Sequence, residues 1–512
     1  MARRLKQILL ALFLINFLLG ASSLQAREHQ LNDLDKYIEK ARKDWEIPGL
    51  AVAIVKDDSL IFAKGYGIKE IGKKGEVDEH TLFAIASNTK AFTASLLGML
   101  IEEDKLDWDD RVIDYIPNFH MYDPYVTREI TIRDLLTHRS GLPTFGGDHI
   151  WIGNAHNREE IILRLRHLKP SASFRSKYQY QNLMFLVAGQ IIPAVSGQSW
   201  DDAIEERIFK PLGMNESNTS VRYLKGTGNV AAPHEMVEGK LIPIAYDNVD
   251  AIAPAGAINS NVVDMAKWMR FNLKGGQFEG EQIFSPEVIK ELHTTQFPLK
   301  VSSFSEENFA TRFAGYGLGW GVWDYKGYKV LSHGGGLSGM ISYQILLPEI
   351  KLGVLILTNF APNRLARALS YRIVDAFLGE PERDWSADYL KRREEEKEKK
   401  NKAEKELQSE RVKGTKPSLT LKEYAGNYYE DFSGIAEVKF ENDKLIFDYN
   451  PRYIGVLEHW HYDTFRVHWR HPIFDMEKKT FLTFYLDETG IVAGLKITFY
   501  DPIHFKRETE AE

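Results

Sequence analysis

"FAIASNTKAFTASLLGML", residues 83–100, places Ser87 three positions before Lys90 at the start of an apolar run with helical spacing. Residues three apart on a helix lie on one face, a single turn from each other. Serine is also a common residue at helix N-caps. The stretch alone therefore allows two interpretations: an ordinary capped helix, or a nucleophile one turn away from its own base.

The base in the second interpretation is Lys90 in its neutral form. Burial of the turn disfavours the charged ammonium, and so does the positive end of the helix that faces it. A neutral amine within reach of the Ser87 hydroxyl can take up its proton, so that no histidine or cysteine is needed. Four-residue patterns also arise by chance, and the interpretation therefore depends on partners elsewhere in the chain.

The composition restricts the choice of function. At 512 residues with 44% hydrophobic content, the chain is long enough for two or three domains with substantial cores. It contains no cysteine, which excludes disulfides and thiolate catalysis. A formal net charge of −7 argues against nucleic-acid binding, which needs a basic face. We expect no cofactor and no metal, although His459 and His461 lie two positions apart in an aromatic strand and could suit a metal.

The first 26 residues have the pattern of a signal peptide rather than of a folded domain. A cationic start is followed by an apolar run, Ile8–Leu19, and by small residues that end at Ala26. The run is too short to span a bilayer comfortably. We predict cleavage after Ala26 and export to the periplasm or the medium, with no stable membrane span afterwards. The alternative is an uncleaved N-terminal anchor.

Two changes in composition divide the rest of the chain. Residues 27–385 mix helical and strand patterns with many glycine turns. Residues 386–417 are almost wholly charged, which predicts a solvated helix or linker. Residues 418–512 alternate apolar and polar residues in short runs around turns, which predicts a small antiparallel sheet or barrel.

The strand patterns of residues 27–385 lie at the two ends of this segment. Leu50–Gly67 predicts an early hairpin, and Tyr316–Phe360 predicts three or four later strands. The residues between them are mostly helical in pattern. We therefore predict an α+β fold in which the first and last strands of one sheet are neighbours.

Two further clusters could supply partners for the serine. Tyr180-Gln181-Asn182 stands just before an apolar helical run, so a phenol and an amide could reach the same cavity. The alternative is a core tyrosine followed by a capping asparagine. His333-Gly334-Gly335-Gly336 follows a strand pattern, and glycines there usually mean that something approaches the backbone closely. Exposed backbone N–H groups along such an edge can hold the oxygen of a tetrahedral intermediate.

Ser87-x-x-Lys90, Tyr180-x-Asn182 and His333-x-Gly335 follow one another along the chain. This layout resembles the serine β-lactamase and penicillin-binding-protein superfamily, whose signatures include S-x-x-K and K-T-G. The Tyr-x-Asn form is similar to the class C and esterase-like branch. Supporting stretches include "ITIRDLLTHRSGLP" and "YGLGWGV". The resemblance implies a β-lactamase-like domain, an antiparallel sheet flanked by helices with an all-helical insert, followed by a small, lipocalin-like β domain.

The resemblance also implies a role for each residue. Ser87 would attack a carbonyl and form an acyl-enzyme, while Lys90 and Tyr180 would move its proton and later activate water. The backbone N–H groups of Ser87 and Gly336 would hold the oxyanion. Asn182 would contact the amide on the acyl side of the substrate.

His333 and Gly335 lie where β-lactamases carry the lysine and glycine of K-T-G. A histidine is largely neutral at pH 7 unless its surroundings raise its pKa, so it is a poor partner for a substrate carboxylate. We therefore expect a serine hydrolase acting on a small peptide, amide or ester, of the D-amino-acid peptide, aminopeptidase or esterase type. A β-lactamase or penicillin-binding DD-peptidase is the alternative.

Two alternatives belong to other classes. The first is a protein that binds penicillin or peptidoglycan fragments without turning them over. The second is an α/β-hydrolase, suggested by the "HGGG" of residues 333–336. Such enzymes need a downstream G-x-S-x-G, which the sequence lacks after Gly336, so we reject this one.

Overall fold

A computed structural model gives the structure of residues 29–153, 156–471 and 480–508. The predicted signal peptide, residues 1–26, lies outside these described residues. Within the three ranges, no helix combines the length and the apolar character that crossing a membrane would require.

The N-terminal domain contains fourteen strands within the described residues. In chain order they are β1 (Gly49–Lys56), β2 (Ser59–Gly67), β3 (Phe83–Ala84), β4 (His234–Val237), β5 (Lys240–Pro243), β6 (Asn259–Ser260), β7 (Gln277–Phe278), β8 (Glu281–Gln282), β9 (Phe297–Leu299), β10 (Ala314–Tyr316), β11 (Gly321–Tyr325), β12 (Tyr328–Leu337), β13 (Met340–Leu347) and β14 (Leu352–Thr358).

Helices cover both faces of the sheet, and most of them lie between β2 and β9 in the chain. In chain order the described helices are α1 (29–44), α2 (Thr89–Glu102), α3 (Val112–Tyr115), α4 (Pro124–Glu129), α5 (Ile132–Leu136), α6 (Arg158–Arg164), α7 (Asn182–Ser196), α8 (Trp200–Ile204), α9 (Lys210–Leu212), α10 (Ala253–Gly256), α11 (Val262–Leu273), α12 (Pro286–Leu292), α13 (Ser303–Phe309), α14 (Leu365–Leu378) and α15 (Trp385–Glu410).

The described residues form one large antiparallel sheet in the order β2-β1-β14-β13-β12-β11-β10-β9. Strand β1 from the start of the domain pairs with β14 from its end, with Leu50 opposite Thr358. The predicted α+β class, with first and last strands as neighbours, is therefore confirmed. The predicted helical insert is present too, although the short strand pairs β3-β6, β4-β5 and β7-β8 interrupt it.

Strand β1 is buried along almost its whole length because both faces of the sheet are covered. Alternate residues of a strand point to opposite faces. Accordingly Ala51 and Ala53 join the core that contains α2 and α11, whereas Val52 and Ile54 join the core that contains α1 and α14. The continuous apolar sequence of β1 reflects the fact that helices cover both faces of the sheet.

The C-terminal residues form a closed barrel in the described part of the chain. Its strands are β15 (Gly426–Glu430), β16 (Gly434–Glu441), β17 (Lys444–Asp448), β18 (Ile454–His461), β19 (Thr464–Trp469), β20 (Phe481–Leu486), β21 (Val492–Thr498) and β22 (Pro502–Arg507). The turn between β16 and β17 consists of Asn442 and Asp443, both with positive φ, as in tight hairpins. The predicted small all-β barrel is confirmed.

Helix α15 joins the two domains. Its first turn lies in the core of the N-terminal domain through Trp385 and Tyr389. Most of the remaining helix is exposed, which fits its charged sequence. Near its other end, Glu404 lies 3.5 Å from Arg466 of the barrel. The boundaries predicted at residues 385 and 417 stay predictions.

Candidate active site

Ser87 lies in a 3₁₀ turn, Ala86–Asn88, that connects β3 to α2. The residue before α2 is Asn88, and no side chain caps this helix. Ser87 therefore does not act as the helix cap that the simpler interpretation requires. Ala86 has a φ of 48°, in the left-handed region that costs energy for a residue with a side chain. Backbone strain of this kind is concentrated at functional sites.

Lys90 is fully buried beneath this turn. Its Nζ lies 3.2 Å from Ser87 Oγ, 2.7 Å from Asn182 Oδ1 and 2.9 Å from the carbonyl oxygen of Ala255. Burial lowers the pKa of Lys90 to about 7, and the nearby Asp148 carboxylate opposes this shift. Close to neutral pH, a large fraction of Lys90 is therefore uncharged.

The contacts of Lys90 fix the direction of its lone pair. The oxygens of Asn182 and Ala255 can only accept, so they take both N–H groups of the neutral amine. The lone pair is left for Ser87, whose hydroxyl then donates to Nζ. This is the arrangement that a base needs in order to activate a serine hydroxyl.

Tyr180 lies on the other side of the serine. Its ring centroid is 4.8 Å from Lys90 Nζ. Desolvation raises the pKa of Tyr180, and the Ser87 side chain only partly offsets this effect. The phenol therefore keeps its proton at neutral pH and can serve as a proton donor or relay rather than as a phenolate.

Asn182 is the first residue of α7, but the cap of this helix is Gln181, whose side chain accepts from the Leu183 N–H. The Asn182 side chain is thereby available to the site. Its Oδ1 accepts from Lys90, and its Nδ2 donates to Asp148 Oδ2 at 2.6 Å. The main visible role of Asn182 is to orient Lys90, and the second N–H of its amide is left for a substrate carbonyl.

Strand β12 brings His333 to the same cavity. Its Nδ1 lies 2.7 Å from the carbonyl oxygen of Gly334, and its Nε2 lies 3.0 Å from the Tyr316 hydroxyl. A neutral imidazole satisfies both contacts, with Nδ1 donating and Nε2 accepting. Desolvation, with Lys90 adding to it, lowers the pKa of His333 to about 3. His333 therefore supplies no positive charge where β-lactamases carry a lysine.

The three glycines after His333 differ in their surroundings. A Cβ on Gly335 would lie 2.1 Å from the carbonyl oxygen of Ile85 and 2.4 Å from Ser342 Oγ. Only a glycine lets β12 pack this closely on the turn that carries Ser87. A Cβ on Gly334 or Gly336 would meet ordinary contacts of 3.4 Å. Gly336 is exposed at the cavity, where a backbone N–H can reach a substrate.

A cavity of about 820 Å³ brings the predicted residues together. Its lining includes the predicted site residues Ser87, Tyr180, Asn182, His333, Gly335 and Gly336. Lys90 lies directly beneath it. Arg364, which precedes α14, and Arg367 of α14 also line this cavity, and no aspartate or glutamate among the described residues does. The catalytic and binding roles of the individual residues stay predictions.

The sequence did not indicate two buried residues that hold the predicted ones in place. His138 is buried, and its Nδ1 accepts from the Gln181 N–H at 3.0 Å, which holds the Tyr180–Asn182 segment in place. Its Nε2 has no hydrogen-bond partner among the described residues. Asp148 orients Asn182, as described above. His138 lies within a stretch noted only as family support, whereas Asp148 belongs to a loop without a recognisable pattern.

The histidines considered as metal ligands have other partners. His459 Nε2 lies 2.9 Å from the carbonyl oxygen of Tyr462, and His461 Nδ1 accepts from the Val412 N–H at 3.5 Å. Within the described ranges, no three histidine, aspartate or glutamate side chains are grouped so that they could hold a metal ion.

Comparisons with known proteins match the two domains to two different family models. The family model described as Beta-lactamase matches residues 34–377. A second family model, described as Domain of unknown function (DUF3471), matches residues 410–510. The first match covers more than half of the chain and contains every predicted site residue.

Similar proteins include two hydrolases and one protein named without an activity. The unguisins hydrolase ungD' of Aspergillus campestris is 30% identical over 416 residues, covering 78% of this chain and 75% of that protein. The unguisins hydrolase ungD of Aspergillus violaceofuscus is also 30% identical, covering 70% and 67%. Protein flp of Staphylococcus aureus strain N315 is 27% identical, covering 67% and 66%.

Among solved structures, the octameric penicillin-binding protein homologue from Pyrococcus abyssi superposes with a TM-score of 0.62 at 24% sequence identity. The match covers 93% of this chain and 100% of that one. It therefore extends over both domains and shows that the two proteins share a fold.

Proposed function

The chain belongs to the beta-lactamase family, and from this premise we propose that it is a serine hydrolase that cleaves an amide, peptide or ester bond through an acyl-enzyme on Ser87. The observation that carries the proposal is the contact of Ser87 Oγ with Lys90 Nζ at 3.2 Å, at the floor of an open cavity. The free lone pair of the neutral Lys90 amine makes it an acceptor for the serine proton. The similarity to two proteins named hydrolases supports turnover.

The proposed reaction has two stages. Ser87 Oγ attacks the substrate carbonyl while its proton passes to Lys90, and the backbone N–H groups of Ser87 and Gly336 stabilise the oxyanion. Tyr180 donates its proton to the leaving group and takes up the proton held by Lys90, so that the leaving group departs, an ester remains on Ser87, and both residues return to their starting states. Water then attacks this ester, with Lys90 and Tyr180 again moving the protons, and the acid product leaves.

One observation favours a second candidate function, a β-lactamase or DD-peptidase acting on substrates that carry a carboxylate. His333 is neutral, as predicted, but Arg367 supplies a cation from a different element of the chain. One of its terminal nitrogens lies 3.8 Å from where a Cβ on Gly334 would be. A carboxylate next to the scissile bond could therefore pair with Arg367 instead of with a lysine of K-T-G.

We also propose that the protein acts outside the cytoplasm, in the periplasm or the medium. The cationic start and apolar run of residues 1–26 support this proposal. Fractionation of the native cells, with N-terminal sequencing of the protein, tests it. A mature chain that begins at Arg27 is expected, and a cytoplasmic protein that still begins at Met1 would contradict it.

The test of the proposed function is a hydrolysis panel on the full chain without its signal peptide. The panel contains p-nitrophenyl esters, L- and D-aminoacyl anilides, nitrocefin and D-Ala-D-Ala peptides. We expect turnover of at least one class, lost in Ser87→Ala and kept in Ser409→Ala, an exposed serine on α15. Turnover that persists in Ser87→Ala would contradict the proposal. A stable adduct on Ser87 without product release would instead identify a binding protein.

A further inference from the structure

The loop from Phe145 to Gly153 lies between the candidate active site and the C-terminal barrel. It contains Asp148 and has little regular structure apart from the short 3₁₀ turn Asp148–Ile150. The loop can hold one conformation only through contacts with its surroundings, because few hydrogen bonds within it fix the backbone.

On one side, this loop contacts the site. Asp148 Oδ2 accepts from Asn182 Nδ2 at 2.6 Å, and Asn182 in turn accepts from Lys90. The Gly146 carbonyl accepts from Gln181 Nε2 at 2.9 Å, and the Phe145 N–H donates to the Tyr180 carbonyl at 2.9 Å. A shift of this loop would therefore move both the amide that holds Lys90 and the segment that carries Tyr180.

On the other side, the neighbours of Asp148 contact the barrel. The Gly147 backbone lowers the pKa of the Asp501 carboxyl, against the larger effect of burial, and a Cβ on Gly147 would lie 2.8 Å from the Phe432 ring. His149 Nε2 lies 2.9 Å from Ser433 Oγ. The residue before Asp148 and the residue after it are thus both held by the barrel.

Two more contacts extend this interface. The His149 ring stacks on Phe499 with centroids 5.2 Å apart and an angle of 16° between the planes. Further along, Asn450 Nδ2 donates to the Ile152 carbonyl at 2.9 Å. Asn450 and His149 are both buried. The barrel therefore holds the loop in place through buried polar groups. Leaving such groups without hydrogen-bond partners would cost free energy of folding.

We propose that Asp148 is a positioning residue for the base of the reaction, and that the C-terminal barrel acts on catalysis by holding the Asp148 loop against Asn182 and Lys90. The inference rests on the proposed function, since it assigns Lys90 as the base. It gives a catalytic purpose to a domain whose matching family is described as having unknown function. The barrel is then a structural part of the active site.

The charge of Asp148 provides a readout that a merely structural residue would not affect. The titratable groups facing Lys90 are Asp148, Tyr180, His138 and His333. Of these four, Asp148 is the one whose charge raises the pKa of Lys90, against the larger effect of burial. Its removal should therefore move the pKa of Lys90 downwards.

The first experiment measures the rate constant for fluorophosphonate labelling of the full chain from pH 5 to 9. In Asp148→Asn, which can still accept from Asn182, we expect the acid limb of the profile to move down by about one pH unit. Asp148→Glu should restore the wild-type limb. An unchanged profile in Asp148→Asn would overturn the role of Asp148.

The second experiment tests the barrel. Phe432→Ala/Ser433→Ala removes the ring and the hydroxyl that touch the residues flanking Asp148. We expect labelling to slow about tenfold or more, because small displacements of catalytic groups are costly. Phe440→Ala, on an exposed part of the same barrel, is the matched control and should label like the wild type. Wild-type labelling by the double variant would overturn the proposal.

A mutant cycle separates coupling from general loss of stability. If the barrel acts through Asp148, Phe432→Ala/Ser433→Ala should slow labelling only slightly further in a protein that already carries Asp148→Ala. Independent effects on the labelling rate would instead multiply. Multiplied effects would overturn the proposal. Ser433→Ala alone provides a milder variant should the double variant fold poorly. Labelling that survives in Ser87→Ala marks failure of the proposed function instead.

Discussion

At the scale of single residues, the proposed reaction depends on Lys90. On a protein surface a lysine carries an ordinary charged ammonium. Lys90 is instead fully buried and is surrounded by two carbonyl oxygens and one hydroxyl. Removal from water is the main reason for its lowered pKa. The lysine can therefore act as a base at a pH at which exposed lysines cannot.

This property predicts the pH dependence of Ser87 reactivity. Protonation of Lys90 removes the lone pair, so labelling by a small fluorophosphonate should fall about tenfold per unit below pH 7 and level off above it. Lys90→Arg should lose the reaction at every pH, because arginine stays protonated. Lys105→Arg, an exposed lysine, is the control. A profile without an inflection between pH 5 and 9 would contradict the assignment.

Some residues of the site could be predicted from the sequence, and others could not. Ser87, Lys90, Tyr180, Asn182 and His333 could be named because short motifs with a chemical meaning contain them. Asp148 and His138 could not, since they act through other residues and their contacts arise only when distant segments meet. Spacing along a chain carries information about neighbours on one element but little about contacts between loops.

At the scale of elements, β12 and the turn that carries Ser87 form one unit. The sequence indicated a close approach at the three glycines, and the structure assigns it to Gly335. Strand pairing places Gly335 opposite Ser342, whose hydroxyl also donates to the Ile85 carbonyl at 2.7 Å. No pattern could identify which of the three glycines is constrained, because the neighbours come from the two residues before Ser87 and from β13.

Gly335→Ala should therefore damage the site. The added methyl group would force the Ile85–Ser87 backbone away, with an overpacking cost of about 1–3 kcal/mol in unfolding free energy. We expect labelling to fall about tenfold or more. Gly334→Ala, which adds a methyl at ordinary contact distance, is the matched control. Equal labelling and equal denaturant midpoints for the two variants would argue against this role of Gly335.

At the scale of the whole molecule, the barrel and the hydrolase domain share a second cavity. It is about 360 Å³ in volume and reaches Asn182 and Gly336 from the side of the barrel, which contributes Arg452 and Tyr500. The sequence predicted the barrel and its hairpins from alternation and turn residues. It could not predict the docking surface, which consists of single residues from several turns.

The shared cavity predicts an effect of the barrel on substrate size. The Tyr500 ring lies 5.9 Å from that of Phe145, and both line the cavity. Tyr500→Ala should widen it and raise kcat/KM for long-acyl over short-acyl p-nitrophenyl esters by about tenfold. Tyr462→Ala, on an exposed turn, should leave the ratio unchanged. A constant ratio in Tyr500→Ala would show that the barrel does not restrict the acyl group.

The most direct test of the central claim is to locate the covalent adduct. The full chain is treated with a fluorophosphonate at pH 8, digested and analysed by mass spectrometry. We predict one modified serine, Ser87, and no adduct in Ser87→Ala or Lys90→Arg, although both variants remain folded. An adduct on a different serine, or undiminished labelling of Ser87→Ala, would contradict the account.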